Sequence, residues 1–338
     1  MKVLVTGATS GLGRNAVEWL LAAGHQVHAT GRDRAVGEEL RQAGARFTAL
    51  DLAAATVDDC ATLVGDADTV WHCAAKSSPW GRRADFWQAN VTATERLSAA
   101  AARQGVKRFI HISTPAIYFD YTPHHEVDES FRARRFACHY AASKYAAEQV
   151  VLRQVAQSPA TTFIMLRPRA LFGAHDRVIV PRLLAQLQRD KGVLRLPGGG
   201  QARLDLTFVL NVVQAMWLAS ETPGLISGAA YNITNQQPVT LAEALHQLLN
   251  QQLGLACQIR SLPASLLYGV ATLMEGASLL TRREPLLTRY SVGAVSVDMT
   301  LCPQRAIAEL GYRPHYSMEE AITLTAQWWR QQGVGGRG

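Results

Sequence analysis

The sequence predicts an α/β protein, a doubly wound parallel sheet with a smaller, substrate-binding part appended after residue 168. Three observations predict it. Short apolar runs alternate with helical stretches as far as Pro168, as strands do when both faces of a parallel sheet are covered. A glycine-rich turn, Gly7 to Gly13, joins the first apolar run to the first helix. Beyond Pro168 the alternation stops, and pieces such as Leu196-Pro197-Gly198-Gly199-Gly200 separate short mixed elements.

The elements follow in order. Val3-Leu4-Val5 is the first strand, and 11–23 the first helix. Residues 25–30 form the second strand and 34–43 the second helix. Phe47-Thr48-Ala49-Leu50 ends the third strand at Asp51, and Thr69-Val70-Trp71-His72 is the fourth. A long helix over 84–103 stops at Gly105, a suitable residue for a left-handed C-terminal turn. Arg108 to Ile112 is the fifth strand, a second long helix runs through Tyr140 and Val151, and Thr162 to Leu166 is the sixth strand. The division falls at 1–168 and 169–338, with some segments of the second part returning to the first.

Composition narrows the function classes. With 48% hydrophobic and 18% charged residues, the chain reads as globular. The net charge of +7 comes from scattered arginines, which favours small anionic ligands over nucleic acid, whose binders concentrate a basic stripe with aromatic partners. Five cysteines without a CxxC pair predict reduced thiols, a cytoplasmic location and no metal site. The start has no secretory h-region. The apolar stretch 262–280 is broken by Pro263, Gly269, Glu275 and Gly276, so it is expected as a helix over the substrate pocket, with peripheral membrane contact the lesser alternative to that and a spanning role excluded. His124-His125-Glu126 with Asp128-Glu129 matches no metal spacing and reads as a flexible polar lid.

Thr6-Gly7-Ala8-Thr9-Ser10-Gly11-Leu12-Gly13 lies directly after a strand and opens a helix. Glycines there let backbone N–H groups approach a pyrophosphate, which the helix N-terminus attracts. Gly7, Thr9, Ser10, Gly11, Leu12 and Gly13 are therefore expected around a dinucleotide in a Rossmann-type domain. At the second strand's tip stand Gly31 and Arg32, where an acid would select NAD; a guanidinium grips a 2′-phosphate, so NADP is expected before NAD. Asp33 reads as the N-cap of the next helix. Asp51 and Leu52 should border the adenine, and Ala74 and Ala75 let the cofactor lie against the fourth strand's end. His72 and Cys73 read as packing at that tip.

Tyr140-Ala141-Ala142-Ser143-Lys144 sets a phenol and an ammonium one helical turn apart, and is the only Tyr-x-x-x-Lys among nine tyrosines. A free phenol, with pKa about 10, is a poor base at neutral pH, and a neighbouring cation is expected to lower that value. Ser113-Thr114 follows the fifth strand, where a hydroxyl meets charge developing on a substrate oxygen.

Taken with Asn90-Val91-Thr92-Ala93-Thr94 and Leu166-Arg167-Pro168, this order of motifs resembles the extended short-chain dehydrogenase/reductases. Leu287-Thr288-Arg289-Tyr290 and Ala308-Glu309-Leu310-Gly311-Tyr312-Arg313-Pro314 are similar to the 3β-hydroxysteroid and sterol-4-carboxylate dehydrogenase branch. The resemblance implies Tyr140 as acid/base, Lys144 as its partner and as holder of the nicotinamide ribose, Thr114 as the substrate-orienting hydroxyl, Asn90 in support, Pro168 beside the nicotinamide, and a homodimer through the two long helices. Pro115-Ala116 replaces the acids of nucleotide-sugar dehydratases, and Asn211 stands where relatives have aspartate, a structural position. The leading expectation is alcohol–ketone interconversion on a sterol-like or fatty molecule, with Trp80 as a candidate wall. Nucleotide-sugar epimerisation and a non-enzymatic NADP(H) sensor are the alternatives.

Overall fold

The computed structural model describes residues 1–177, 179–281 and 283–334. Seven strands form one parallel sheet: β1 (Lys2–Thr6), β2 (Gln26–Gly31), β3 (Arg46–Ala49), β4 (Thr69–His72), β5 (Arg108–Ile112), β6 (Thr162–Pro168) and β7 (Ala229–Ile233). Their order is β7-β6-β5-β4-β1-β2-β3. The direction of winding reverses between β1 and β4, where Thr6 stands opposite His72, and a crevice opens beyond the strands' carboxyl ends. β4 is buried along its whole length, and Val5, Trp71, Ile110, Ile164, Leu166 and Tyr231 form one core on one face. Leu4, Val70, Phe109, Phe163 and Met165 form a second core on the other. The sequence expectation of a doubly wound sheet holds.

Helix starts follow local chemistry. α1 (Gly11–Ala22) opens on the glycine turn. Asp33 caps α2 (Arg34–Gln42), accepting from the N–H groups of Ala35 and Val36, as expected. Thr56 and Asp59 form a reciprocal capping box on α3 (Val57–Val64). The expected 84–103 helix is not uniform: a π-turn, Trp87–Thr92, interrupts it before α4 (Ala93–Arg103). Asn90 explains the extra residue in the turn, because its side chain is bonded away from the helix, to the backbone of Lys76 and to Ser143. α5 (His139–Gln157) carries Tyr140 and Lys144.

The boundary at residue 168 is crossed in both directions. Helix Val209–Glu221 and β7 return to the sheet, while His124–Val127 leaves it and pairs with Met299–Leu301 in a four-stranded sheet. That pairing corrects the expected lid at 124–129. His124 bonds Asp120 at 2.8 Å and Glu129 accepts from the Asn232 N–H at 2.7 Å, so the segment is built into the fold. Among the described residues no group of three or more His, Cys, Asp or Glu is placed to hold a metal. The smaller part has its own core of Leu194, Leu196, Leu245, Leu249, Ile322 and Trp329.

Helix Ala264–Thr281 also departs from expectation. By length and composition it is long and apolar enough to cross a membrane, and only 17% of it is buried. It lines no part of the central cavity. Its anchor is Glu275, which accepts from the N–H and Nε of Arg289 at 2.8 and 2.7 Å, leaving Leu273, Leu279 and Leu280 exposed. Asn211 is structural as expected, bonded to Asn235 and to the backbone of Tyr316.

Candidate active site

The glycine turn is sterically obligatory. A Cβ at Gly13 would lie 2.2 Å from the Gly7 oxygen, and one at Gly7, whose φ is +66°, would lie 2.9 Å from the Ala74 backbone. A Cβ at Gly31 would strike the Thr9 side chain at 2.6 Å. These bare positions leave a cradle against which a diphosphate can lie close to backbone N–H groups. Below it, Thr6 Oγ1 contacts His72 Nδ1 at 2.8 Å and accepts from the Ala74 N–H at 3.1 Å. His72 Nε2 meets Thr94 Oγ1 at 2.9 Å, and burial brings its pKa down to about 3, so it is a neutral packing residue. Burial likewise pushes the Cys73 thiol up to about 12, which keeps it inert.

Two cavities adjoin along this edge. One, about 450 Å³, is lined by Gly7, Ser10, Gly11, Leu12, Gly13, Ser113, Thr114, Tyr140, Lys144 and Pro168, among others. The second, about 370 Å³, takes in Thr9, Gly31, Arg32, Asp51 and Leu52. They share Gly7, Ser10, Ala74 and Ala75, so the cleft runs unbroken from Arg32 to Tyr140. Every residue expected to touch cofactor or substrate borders it except Trp80, and Asn90, expected in support, braces the loop behind it. Trp80 borders neither cavity.

At the deep end, Thr114 Oγ1 accepts from the Ala116 N–H at 3.1 Å, and its hydroxyl lies close enough to Tyr140 to favour the phenolate. That bond leaves the hydroxyl its proton and a second lone pair to offer to the cleft. Tyr140 does not show the acidity expected of it. Burial pushes the phenol up to about 12, the Thr114 bond draws it back, and Cys138 adds to the rise. Lys144 does not lower it because its ammonium is directed elsewhere: Nζ donates to the Ile112 carbonyl at 2.6 Å and lies 3.2 Å from His111 Nε2. Burial brings Lys144 down to about 8, against the pull of Glu148 and Cys73. His111 is held neutral by burial and by Lys144, and its Nδ1 and the Ser113 hydroxyl are buried without partners.

Sequence reasoning missed the clamp that fixes this helix. Arg167 donates to Glu148 through Nε at 2.8 Å and Nη2 at 2.7 Å, a buried bidentate pair. Its Nη1 donates to the Tyr118 hydroxyl, which donates in turn to Asn232. Glu148 lies one helical turn beyond Lys144, and that repeat of the Tyr140–Lys144 spacing was the available signal.

The profile of the NAD dependent epimerase/dehydratase family matches residues 3–234. The chain belongs to that family, among the extended short-chain dehydrogenase/reductases its motifs resemble. "Uncharacterized protein YbjS" of Escherichia coli (strain K12) is 45% identical over 335 residues, 98% of this chain and 99% of its own. The 2-alkyl-3-oxoalkanoate reductase of Stenotrophomonas maltophilia (strain K279a) is 34% identical, over 95% of this chain and 97% of its own. A 3 beta-hydroxysteroid dehydrogenase/Delta 5-->4-isomerase of Mycobacterium tuberculosis (strain ATCC 25618 / H37Rv) is 30% identical, over 95% and 88%. In fold, the chain superposes with a TM-score of 0.77 on the UDP-glucuronic acid 4-epimerase from Bacillus cereus, solved with UDP-glucuronic acid and NAD, at 20% identity over 98% of this chain and 100% of that one.

Proposed function

We propose that this protein is an NADP(H)-dependent oxidoreductase that interconverts a secondary alcohol and a ketone on a hydrophobic molecule. The single observation that carries the reading is the contact of Thr114 with Tyr140 at the closed end of a cleft that begins at Arg32. Bound in this cleft, a nicotinamide would supply or accept the hydride. Tyr140 gives its phenolic proton to the carbonyl oxygen as the hydride reaches carbon, and takes it back in the oxidative direction. Thr114 fixes the phenol and turns its own proton toward the developing charge. Lys144, released from the Ile112 carbonyl, is in position to hold a ribose hydroxyl.

Arg32 borders the adenine end with no ion-pair partner among the described residues, and Asp33, spent on the α2 cap, does not compete for a ribose. Both features favour NADP over NAD. The named relatives act on an oxoalkanoate and a hydroxysteroid, which supports a ketone or carbinol on an apolar skeleton. Dimerisation across α4 and α5 belongs to this proposal, and light scattering of the purified protein tests it.

Tyr140→Phe tests the chemistry. The variant should lose turnover by at least about a thousandfold while its affinity for NADPH, read by fluorescence titration, stays unchanged. Retained ketone reduction refutes the assignment. A tightly held dinucleotide with UDP-sugar interconversion and no net redox would establish the epimerase instead, and absence of any NADPH oxidation across diverse ketones would leave the sensor.

A further inference from the structure

Helix Ala264–Thr281 has its polarity inside out. Its one charged residue, Glu275, is buried and accepts from the N–H and Nε of Arg289. On the same side Tyr268 meets the Tyr121 ring edge-on at 6.2 Å. Facing outward, Leu266, Val270, Leu273, Ala277 and Leu280 recur at alternating steps of four and three residues and form one exposed stripe. Leu273 is 76% and Leu280 88% exposed. Beside the stripe Ser265, Gly269, Thr272, Gly276 and Leu279 are exposed as well. With about 3.6 residues to a turn, this uncharged face covers about half the circumference of the helix. A surface helix ordinarily turns its apolar stripe to the core and its charges to water. The reverse order marks a surface that meets something apolar.

The width and the charges of this face say what it meets. A partner helix covers a narrow seam, and charged residues flank such seams to set the register. This face is broad and bears no charge. Cations stand at its two ends instead. Arg260 lies on the strand Gln258–Leu262 that leads into the helix, and Arg283 follows its last turn. Both are exposed, and neither has an ion-pair partner among the described residues. The acids beside them are matched by other arginines: Glu284 by Arg182, and Asp190 by Arg195, which stands in register with Arg260. The same end of the helix adjoins the mouth of the central cavity. Glu284 accepts from the Ser78 hydroxyl at 3.1 Å, and the neighbouring Ser77, with Ile179 one turn before Arg182, lines the cavity.

We propose that this helix seats the protein on an anionic bilayer, its outer half sunk among the acyl chains and Arg260 and Arg283 at the phosphates. The Glu275–Arg289 bond ties the helix to the protein, so it lies in the interface and does not cross the membrane. An interfacial helix buries its apolar face to about 5–10 Å, roughly half a helix diameter. Each basic residue close to an anionic surface strengthens attachment by about fivefold. The cavity mouth then opens at the membrane surface. The attachment does not depend on the chemistry of the cleft.

The experiment sediments the full chain with vesicles of phosphatidylcholine, pure or mixed with phosphatidylglycerol. The wild type should bind the mixed vesicles at least about tenfold more tightly than the neutral ones, and added salt should narrow the gap. Leu273→Asp combined with Leu280→Asp should weaken binding to the mixed vesicles by about a hundredfold or more, because two leucines lose their apolar surroundings. Both positions are exposed, so the variant should keep the wild-type urea midpoint. Arg260→Gln combined with Arg283→Gln tests the same seat without touching the helix, and should lower the mixed vesicles to the level of the neutral ones. No sedimentation of the wild type with either vesicle overturns the proposal, as does equal binding to both. Unchanged binding in the folded leucine variant also overturns it. So does a drop in that variant's mass by light scattering without vesicles, which would make the face a contact between two copies of this chain. None of these measurements reads turnover, so their failure and that of the alcohol–ketone reading are separate results.

Discussion

Replacing Lys144 by Met should stabilise the protein relative to wild type more at neutral than at alkaline pH, by an amount that can be worked out. The ammonium is 2% exposed, and burial brings its pKa from 10.5 to about 8. A lysine whose folded pKa lies below its unfolded one weakens the fold while it is charged, and stability rises with pH wherever the unfolded chain binds more protons. The full penalty applies below about pH 8 and fades as pH climbs to 10.5. From those two pKa values, charging Lys144 in the folded state costs about 3 kcal/mol at pH 7 and about 1 kcal/mol at pH 10. Lys144→Met removes this cost at both values. It also leaves the Ile112 carbonyl and His111 Nε2 without their donor, a loss of about 1–3 kcal/mol that does not depend on pH in this range. The pH-dependent part survives subtraction: relative to wild type, the variant should be about 2–3 kcal/mol better placed at pH 7 than at pH 10. Urea unfolding of both proteins at the two pH values measures it. A difference that is flat with pH would show that Lys144 is not a buried cation, and one that grows toward pH 10 would reverse the sign of the argument.

Further tests follow from the clamp and from the adenine end. Glu148→Gln leaves the Arg167 guanidinium buried and uncompensated, so unfolding should become easier by about 3–5 kcal/mol, read by denaturant titration; a change under about 1 kcal/mol would mean the pair is not buried as described. Arg32→Ser should raise the KM for NADPH by about tenfold or more and leave that for NADH nearly unchanged, because only the 2′-phosphate loses a partner; equal effects on both would remove Arg32 from cofactor selection.

What the sequence made legible was local. A strand, a glycine turn and a helix are contiguous, so the Gly7–Gly13 cradle was readable before its contacts were known. Asp33 was readable as the cap of α2, because that bond forms within three residues. Tyr140 and Lys144 share a face by helix geometry alone. The features that escaped join distant parts of the chain. His124–Val127 reads as polar coil until Met299–Leu301 pairs with it, and the Glu126 N–H finds Thr300 at a separation of 174 residues. Helix Ala264–Thr281 reads as a cover for the substrate pocket, yet it borders no part of the central cavity and only 17% of it is buried. The phenol's acidity was misjudged because spacing gives the distance along a helix, while Ile112 and His111, on another strand, decide where the ammonium points.

The same non-local reasoning explains how charge is distributed around the cleft. Of the carboxylates around it, Glu148 is committed to Arg167, Asp33 to the start of α2 and to Arg177, and Asp205 to the Leu301 N–H, while Asp51, Asp85 and Asp176 line the cleft itself. Lys144, Arg169 and Arg32 border the cleft, and none of them has an ion pair among the described residues. Two of these cations, Lys144 and Arg169, are drawn below their ordinary pKa by burial, so the deep end of the cleft weakens the fold. A dinucleotide whose phosphates lie along the cleft would bring negative charge to these cations, and its binding free energy would add directly to the stability of the fold. A ligand at a hundred times its Kd contributes about 2.7 kcal/mol in this way, close to what Lys144 alone costs at pH 7. The arrangement that makes the apoprotein less stable is therefore the one that selects its ligands.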